Sequence, residues 1–500
     1  MSSPATLDFH AVIVGGGIVG MSAAWFLQLE AAAKDTTLIY ALLEQAGRWG
    51  GKIHTEIVEG EGAEPFVVEA GPDSFLTQKP WALQLARSLG LEDRLLPTND
   101  QMRHVFVLNK GRPTPLPDGV MLIVPTKFAP FVRSPLISPL GKLRMGLDLL
   151  IPPRKDGRDE TLAGFIKRRL GAEALDKIAE PLMSGIYNAD AERQSLMATF
   201  PRFRAIEEKH GSLIRGMLAA RRARQAAPPS NARKPPAMFT SFRTGMHELV
   251  DALLPRLTGK CLLETAVQSI RPLAGGGFEL VLNDGRRVTA ATVLLAVPAY
   301  AAARLVAEAA PAAASGLAGI RYVGTGTVTL AFRRNEFTHP LNGFGILIPR
   351  SEKRPINAIT WSSTKFTHRA PEGFGLIRVF FGGSRTPSTM GLADGELLET
   401  VRGELKELMG ITAEPVFHRI YRWSRSTPQY DVGHLARVTE IEAALPDGLF
   451  VAGSPYRGVG VPDCVHQAQQ AAALMVQHLA STGLAGKSAS LPHSPNAREA

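Results

Sequence analysis

Cysteine is almost missing from this chain: Cys261 and Cys464 are the only two in 500 residues. They lie 203 positions apart with no CxxC and no nearby histidine spacing, which excludes a disulfide framework and a sulfur-ligated zinc site. Both read as small buried hydrophobes. Aromatic residues make up only 7% and do not interleave with the basic ones, as a surface that stacks bases requires. No apolar run reaches the ~18–20 residues of a membrane-spanning helix. The N-terminal "MSSPATLDFHAVIVGGG" has no basic start, apolar stretch and small-residue cleavage site, so a cytoplasmic location is expected. Ser/His/Asp elbows, paired carboxylates and metal triads are absent too, and no dedicated catalytic base or metal ligand is assigned.

What is present is a globular composition, 45% hydrophobic, with room for two or three domains. The net charge of +10 is unevenly spread: nine Lys/Arg face two Glu between Arg202 and Lys234. Such a surplus suits nucleic acid, anionic lipid or an acidic substrate. The string "RRARQAAPPSNARKPP" (221–236) instead reads as a solvated basic linker, so no nucleic-acid partner and at most peripheral membrane contact are expected.

Periodicity divides the chain. "HAVIVGGGIVGMSAAWFLQLEAA" is strand, glycine turn and helix, and "TTLIYALLEQ" supplies a second strand, completing a βαβ unit. Residues 138–220 are mostly helical. Strand patterns dominate from Gly324 to Tyr421, broken by one helix near Gly395–Met409. The chain is therefore read as α/β, a Rossmann-like nucleotide-binding domain gathered from 8–95, 237–310 and 436–482. A mixed-sheet substrate domain comes from 96–137 and 311–435, a helical subdomain from 138–220, the linker from 221–236, and a disordered tail from 483–500.

Gly15, Gly17 and Gly20 form GxGxxG between strand and helix. Glycine there permits a tight turn, close approach to a pyrophosphate and close helix packing, while the helix N-terminus offers amides. Glu44, 24 residues after Gly20 at the end of the second strand, can accept hydrogen bonds from ribose hydroxyls. "QAGRWGGKIHT" then brings Gly47, Arg48, Gly50, Gly51 and Lys52. A second glycine turn beside the first suits a ligand longer than NAD, such as FAD, with Arg48 and Lys52 neutralising phosphate or polarising a flavin. The spacing is not that of a Walker A loop.

These residues resemble the FAD-containing superfamily of amine oxidases, desaturases and porphyrinogen oxidases. In that family the chain returns to the flavin at its end, and "LFVAGSPYRGVGVPDC" resembles the closing motif, with Gly453 beside the pyrophosphate and Gly458, Gly460 and Val461 opening a helix toward the flavin. "VVEAGPDSFLTQKP" (67–80), "VPTKFAPFVRSPLISPLGKLRMGLD" (124–148), "EPLMSGIYNADAERQSLMATFP" (180–201) and "RWSRSTPQYDVGH" (422–434) are similar to bacterial porphyrinogen oxidases of heme synthesis, nearer the water-soluble type that acts on coproporphyrinogen III.

The resemblance implies FAD-dependent, oxygen-dependent oxidation of coproporphyrinogen III, or of protoporphyrinogen IX, with H2O2 formed, and a next enzyme of ferrochelatase type as a partner. It also implies that Gly71, Pro72 and Asp73 lie at the flavin ring and that Val267 meets the adenine through its backbone. Binding ionised propionates needs an apolar cavity with cationic rims. Lys79 is the first candidate for a substrate carboxylate or proton relay, followed by Arg103, Lys127 and Arg133. Tyr430 lines the ring face or packs in the core, and His434 braces a loop. Ala468 stands near a place where the family commonly has glycine. Two alternatives remain open: another FAD oxidoreductase of the superfamily, such as an amine oxidase or carotenoid desaturase, and a non-catalytic basic nucleotide-fold protein on nucleic acid or a membrane surface.

Overall fold

Strand Phe9–Val14 is buried along its whole length, as a strand covered on both faces must be. In the computed structural model, which describes residues 7–36, 38–60, 64–117, 120–121, 123–125, 128–226 and 237–483, it lies at the centre of the first of two large sheets. The order is Lys260–Leu262, Tyr40–Leu43, Phe9–Val14, Arg287–Leu295, Phe278–Leu282 and Val267–Pro272, and Leu449–Val451 joins beside Arg287–Leu295. The first four strands and the last-arriving one run parallel, and the remaining hairpin is antiparallel. Alternation sends Ala11 and Ile13 to one face and Val12 and Val14 to the other. On the first face, helix Ile18–Ala32 packs against helix Val461–Ser481, through Met21, Ala24 and Leu27 against Val465, Ala468 and Ala472. Ala468 has no exposed surface, so its methyl is part of this helix crossing.

The second sheet is mixed: Phe417–Pro428, Tyr322–Arg333, Phe374–Gly382, Ala358–Trp361, Gly345–Leu347, Val105–Asn109 and Arg112–Pro115. Its register separates two faces. Val328, Leu330, Ile377 and Val379 point to helix Asp394–Met409 and bury Leu397, Val401 and Leu405. Thr325, Thr327, Thr329, Arg378, Tyr421 and Trp423 share the opposite face. That face meets the nucleotide-binding part, because Trp423 Nε1 donates to Ala70 O at 2.9 Å and Tyr421 donates its hydroxyl to Glu56.

The helical region begins at helix Phe128–Arg133 and includes one π turn, Leu175–Ala179. Its last helix, Leu213–Ala226, runs through the first six residues read from sequence as linker. Arg, Ala and Gln are strong helix formers, and the first breaker is Pro228. Residues 227–236, Lys127 and the tail from 484 lie outside the described residues. Inside this region Arg169, wholly buried, donates Nε to Asp148 at 2.6 Å. Arg168 and Arg204 reach Glu207 at 2.6 and 3.0 Å, and both also bind Glu160. No helix among the described residues is long and apolar enough to cross a membrane.

Candidate flavin site

At the first turn, backbone touches backbone. Gly15 has φ +111°, and a Cβ on Gly20 would stand 1.8 Å from Gly15 O, so the helix can sit this close to the strand only without a side chain. The second glycine turn abuts the first: Gly50 N–H donates to Gly16 O at 2.8 Å, and a Cβ on Gly51 would be 3.1 Å from Gly17 Cα. The N-cap Gly17 brings no side chain to the opening amides of helix Ile18–Ala32, leaving them for an anion. Glu44 closes the far side of the turn. Its Oε2 accepts from Gly16 N–H at 2.6 Å and its Oε1 from Ala46 N–H at 2.8 Å. Each carboxylate oxygen keeps a further lone pair for a ribose hydroxyl.

Arg48 curls back on its own turn and donates to Gly51 O at 2.5 Å; burial lowers its pKa while Glu44 opposes the shift. Lys52 reaches out instead, donating Nζ to Ser426 O of the second sheet. Burial pushes its pKa down, with Cys464 opposing. Next to it, a Cβ on Gly71 would meet Lys52 O at 1.8 Å, so the loop 71–73 lies directly against the second turn. Arg378 Nη2 donates to Gly71 O at 2.7 Å. Asp73 accepts from Lys365 Nζ at 2.8 Å and from Ser74 Oγ at 2.7 Å. Burial would raise the Asp73 pKa, but Lys365 and Arg378 hold the carboxyl well below its usual range, and it stays ionised.

The closing segment completes the enclosure from the other end of the chain. Tyr430 is buried, donates its hydroxyl to Ser454 O at 2.6 Å and accepts from Gly458 N–H at 2.8 Å. Its ring stacks on His434 at 4.0 Å, and His434 Nε2–H donates to Tyr456 O at 2.9 Å. Tyr430 thereby holds the turn at Gly458. Gly453 N–H meets Gln467 Oε1 at 3.3 Å, and Gly460 caps helix Val461–Ser481 with Pro in its first turn. Lys79 Nζ binds both oxygens of Asp463 at 2.6 and 2.7 Å, tying the loop after residue 73 to that helix start. Val267 opens its strand two residues after Thr265, whose N–H donates to Glu44 O at 2.9 Å. Arg103 and Arg133 are exposed.

Sequence reasoning missed the sheet face that covers the loop. Thr327 Oγ1, Thr329 Oγ1 and Arg378 Nε are buried without a hydrogen-bond partner. Buried polar groups are almost always satisfied, so orphans beside the loop 71–73 fit a bound polar cofactor. The one available signal was an arginine in the apolar run "GLIRVFF". Among the described residues no cluster could hold a metal ion.

Known proteins agree with this reading. The profile described as flavin containing amine oxidoreductase matches residues 18–476. Coproporphyrinogen III oxidase of Bacillus subtilis (strain 168) is 36% identical over 94% of this chain and 99% of its own. Chloroplastic protoporphyrinogen oxidase of Nicotiana tabacum is 31% identical over 93% and 85%. The crystal structure of an Exiguobacterium sp. 255-15 protein named for protoporphyrinogen oxidase superposes with TM-score 0.82 at 30% identity, covering 95% of this chain and all of that one. Putrescine oxidase bound to putrescine shares the fold, at TM-score 0.66 and 17% identity over 95% of this chain and 100% of its own. FAD is the cofactor of this chain, which belongs to the flavin containing amine oxidoreductase family.

Proposed function

We propose that this protein oxidises porphyrinogens in heme biosynthesis, with coproporphyrinogen III as the preferred substrate, oxygen as acceptor and H2O2 as by-product. The full-length likeness to porphyrinogen oxidases carries the reading. Bound FAD supplies the hydride-accepting chemistry and returns the electrons to oxygen. The chain holds and orients. Trp423 and Arg378 fix the carbonyls of Ala70 and Gly71, Tyr430 fixes the turn at Gly458, and the Lys79–Asp463 pair sets the start of helix Val461–Ser481. The positive end of that helix would favour negative charge on a flavin held there. Lys79 remains 43% exposed and Arg103 is exposed, which suits cations at the rim of a cavity for propionates.

A peripheral membrane contact and a cytoplasmic location belong to the same proposal. Helix Pro139–Gly146 and the turn after it expose Leu140, Leu143, Leu147 and Leu150 beside exposed Arg133, a pattern suited to a lipid interface. The next enzyme, of ferrochelatase type, would receive the product.

Porphyrin fluorescence growth under air with coproporphyrinogen III and protoporphyrinogen IX, on flavin-loaded protein, tests the reading. Faster growth with the four-carboxylate substrate is expected. Failure to turn over either would overturn it in favour of another oxidase of the family.

A further inference from the structure

Arg378 is the least satisfied buried cation near the site. It is 4% exposed, donates Nη2 to Gly71 O and leaves Nε without a partner. No carboxylate of the described residues comes within ion-pair distance of it, although Asp73 and Glu69 attract it from farther away. Its guanidinium rests 4.8 Å from the Phe380 ring centroid, which fixes its plane. A buried charge this poorly paired is expensive unless something else meets it.

Its neighbours narrow the choice. Thr329 is its direct partner in the adjoining strand, and Thr327 lies two residues along on the same face. Both hydroxyls are orphaned as well. The one acceptor Arg378 has is the peptide carbonyl of the loop that rests on the second glycine turn. A cation there has two effects: it sets the orientation of the 71–72 peptide, and it places fixed positive charge beside that peptide. In a water-excluded site such a charge acts far more strongly than in solution.

We propose that Arg378 is a positioning residue that orients the loop 71–73 against the flavin and makes the bound cofactor easier to reduce. The inference rests on the flavin site described above and does not depend on which substrate is oxidised.

Arg378→Met keeps much of the volume and removes the charge; Arg378→Lys keeps the charge and loses the fork. The midpoint potential of bound flavin is measured for wild type and both variants by dye equilibration, with the visible flavin spectrum recorded alongside. Arg378→Met is expected to lose roughly tenfold in relative preference for reduced over oxidised flavin, ~30 mV toward negative values for two electrons. Arg378→Lys should recover most of it. With porphyrinogen, kcat should fall in Arg378→Met with KM little changed.

An unchanged potential in folded, flavin-loaded Arg378→Met overturns the proposal. Should that variant not fold, Arg378→Gln, which keeps a donor for Gly71 O and removes the charge, decides: an unchanged midpoint potential overturns the proposal, while a shift toward negative values supports it. Wild-type protein that holds flavin but oxidises no porphyrinogen would defeat the proposed function alone, since the potentials still discriminate the variants.

Discussion

Where the first two glycine turns cross, Gly17 and Gly51 face each other with no side chain between them, and the contact is tight because both residues lack a Cβ. In the helical region, segments meet through long side chains instead. Arg168, Arg169 and Arg204 converge on Glu207, and Arg169 also binds Asp148. The first arrangement leaves open amides for a ligand. The second satisfies most of its groups internally, Arg168 Nε excepted: Asp148 accepts from Arg169, from Ser212 Oγ at 2.5 Å and from Ile214 N–H at 2.9 Å. A binding site is built by leaving donors unmet, and a scaffold by meeting them.

Removing one partner from the scaffold should have the largest effect on stability. Arg169→Ala leaves Asp148 and Glu207 short of a cation in a site with no exposed surface, and a loss of about 3–5 kcal/mol is expected. Chemical denaturation measures it, and the folded fraction should keep its flavin.

Glu69 sharpens the contrast, because it is a buried carboxyl with weaker support than Glu207. Its ion pair is a single distant one, to Arg369 at 3.9 Å, with hydrogen bonds from Thr55 and from Met246 N–H. Burial pushes its pKa up from 4.5 to about 7 against those contacts. The native state therefore binds the proton more tightly than the unfolded chain. The resulting stabilisation is complete below about pH 4.5 and is lost as pH rises through about 7. Thermal unfolding of Glu69→Gln from pH 5 to 8 should show a flatter profile than wild type, the difference growing toward pH 7 to about 2–3 kcal/mol.

At the glycine crossing, Gly20→Ala forces a Cβ into Gly15 O. The expected cost is about 1–3 kcal/mol, with flavin lost on purification as read from the ratio of visible to ultraviolet absorbance. Retained flavin would mean that strand and helix can part without disturbing the site. Smallest of all, Ala468→Gly introduces a flexible residue into the middle of helix Val461–Ser481, and should cost ~1 kcal/mol while flavin stays bound.

The nucleotide-binding half was readable because its signals are local. GxGxxG, Glu44 and the second glycine turn fall within about 35 residues, and each follows a strand or opens a helix. The helical region was legible from its period of 3.6, though its last helix continued into the basic string. Side-chain roles were harder to read, because their partners are remote in sequence. Lys79 reads as an available cation until Asp463, 384 positions away, is seen to hold it. Tyr430 reads as core packing more readily than as ring-lining, but its partners Ser454, Gly458 and His434 cannot be read from the sequence. The face carrying Thr327, Thr329 and Arg378 depends on how strands Tyr322–Arg333 and Phe374–Gly382 pair, which sets Thr329 opposite Arg378. Alternation along one strand cannot supply that information.

The return of the chain end has a consequence for how the protein is made. Strand Phe9–Val14 is synthesised about 440 residues before Leu449–Val451 and helix Val461–Ser481, roughly 20–90 s earlier at ordinary elongation rates. Until they emerge, the nascent protein has its first glycine turn with no closing helix packed behind it. Cofactor occupancy should therefore report that helix Val461–Ser481 has docked behind the first glycine turn.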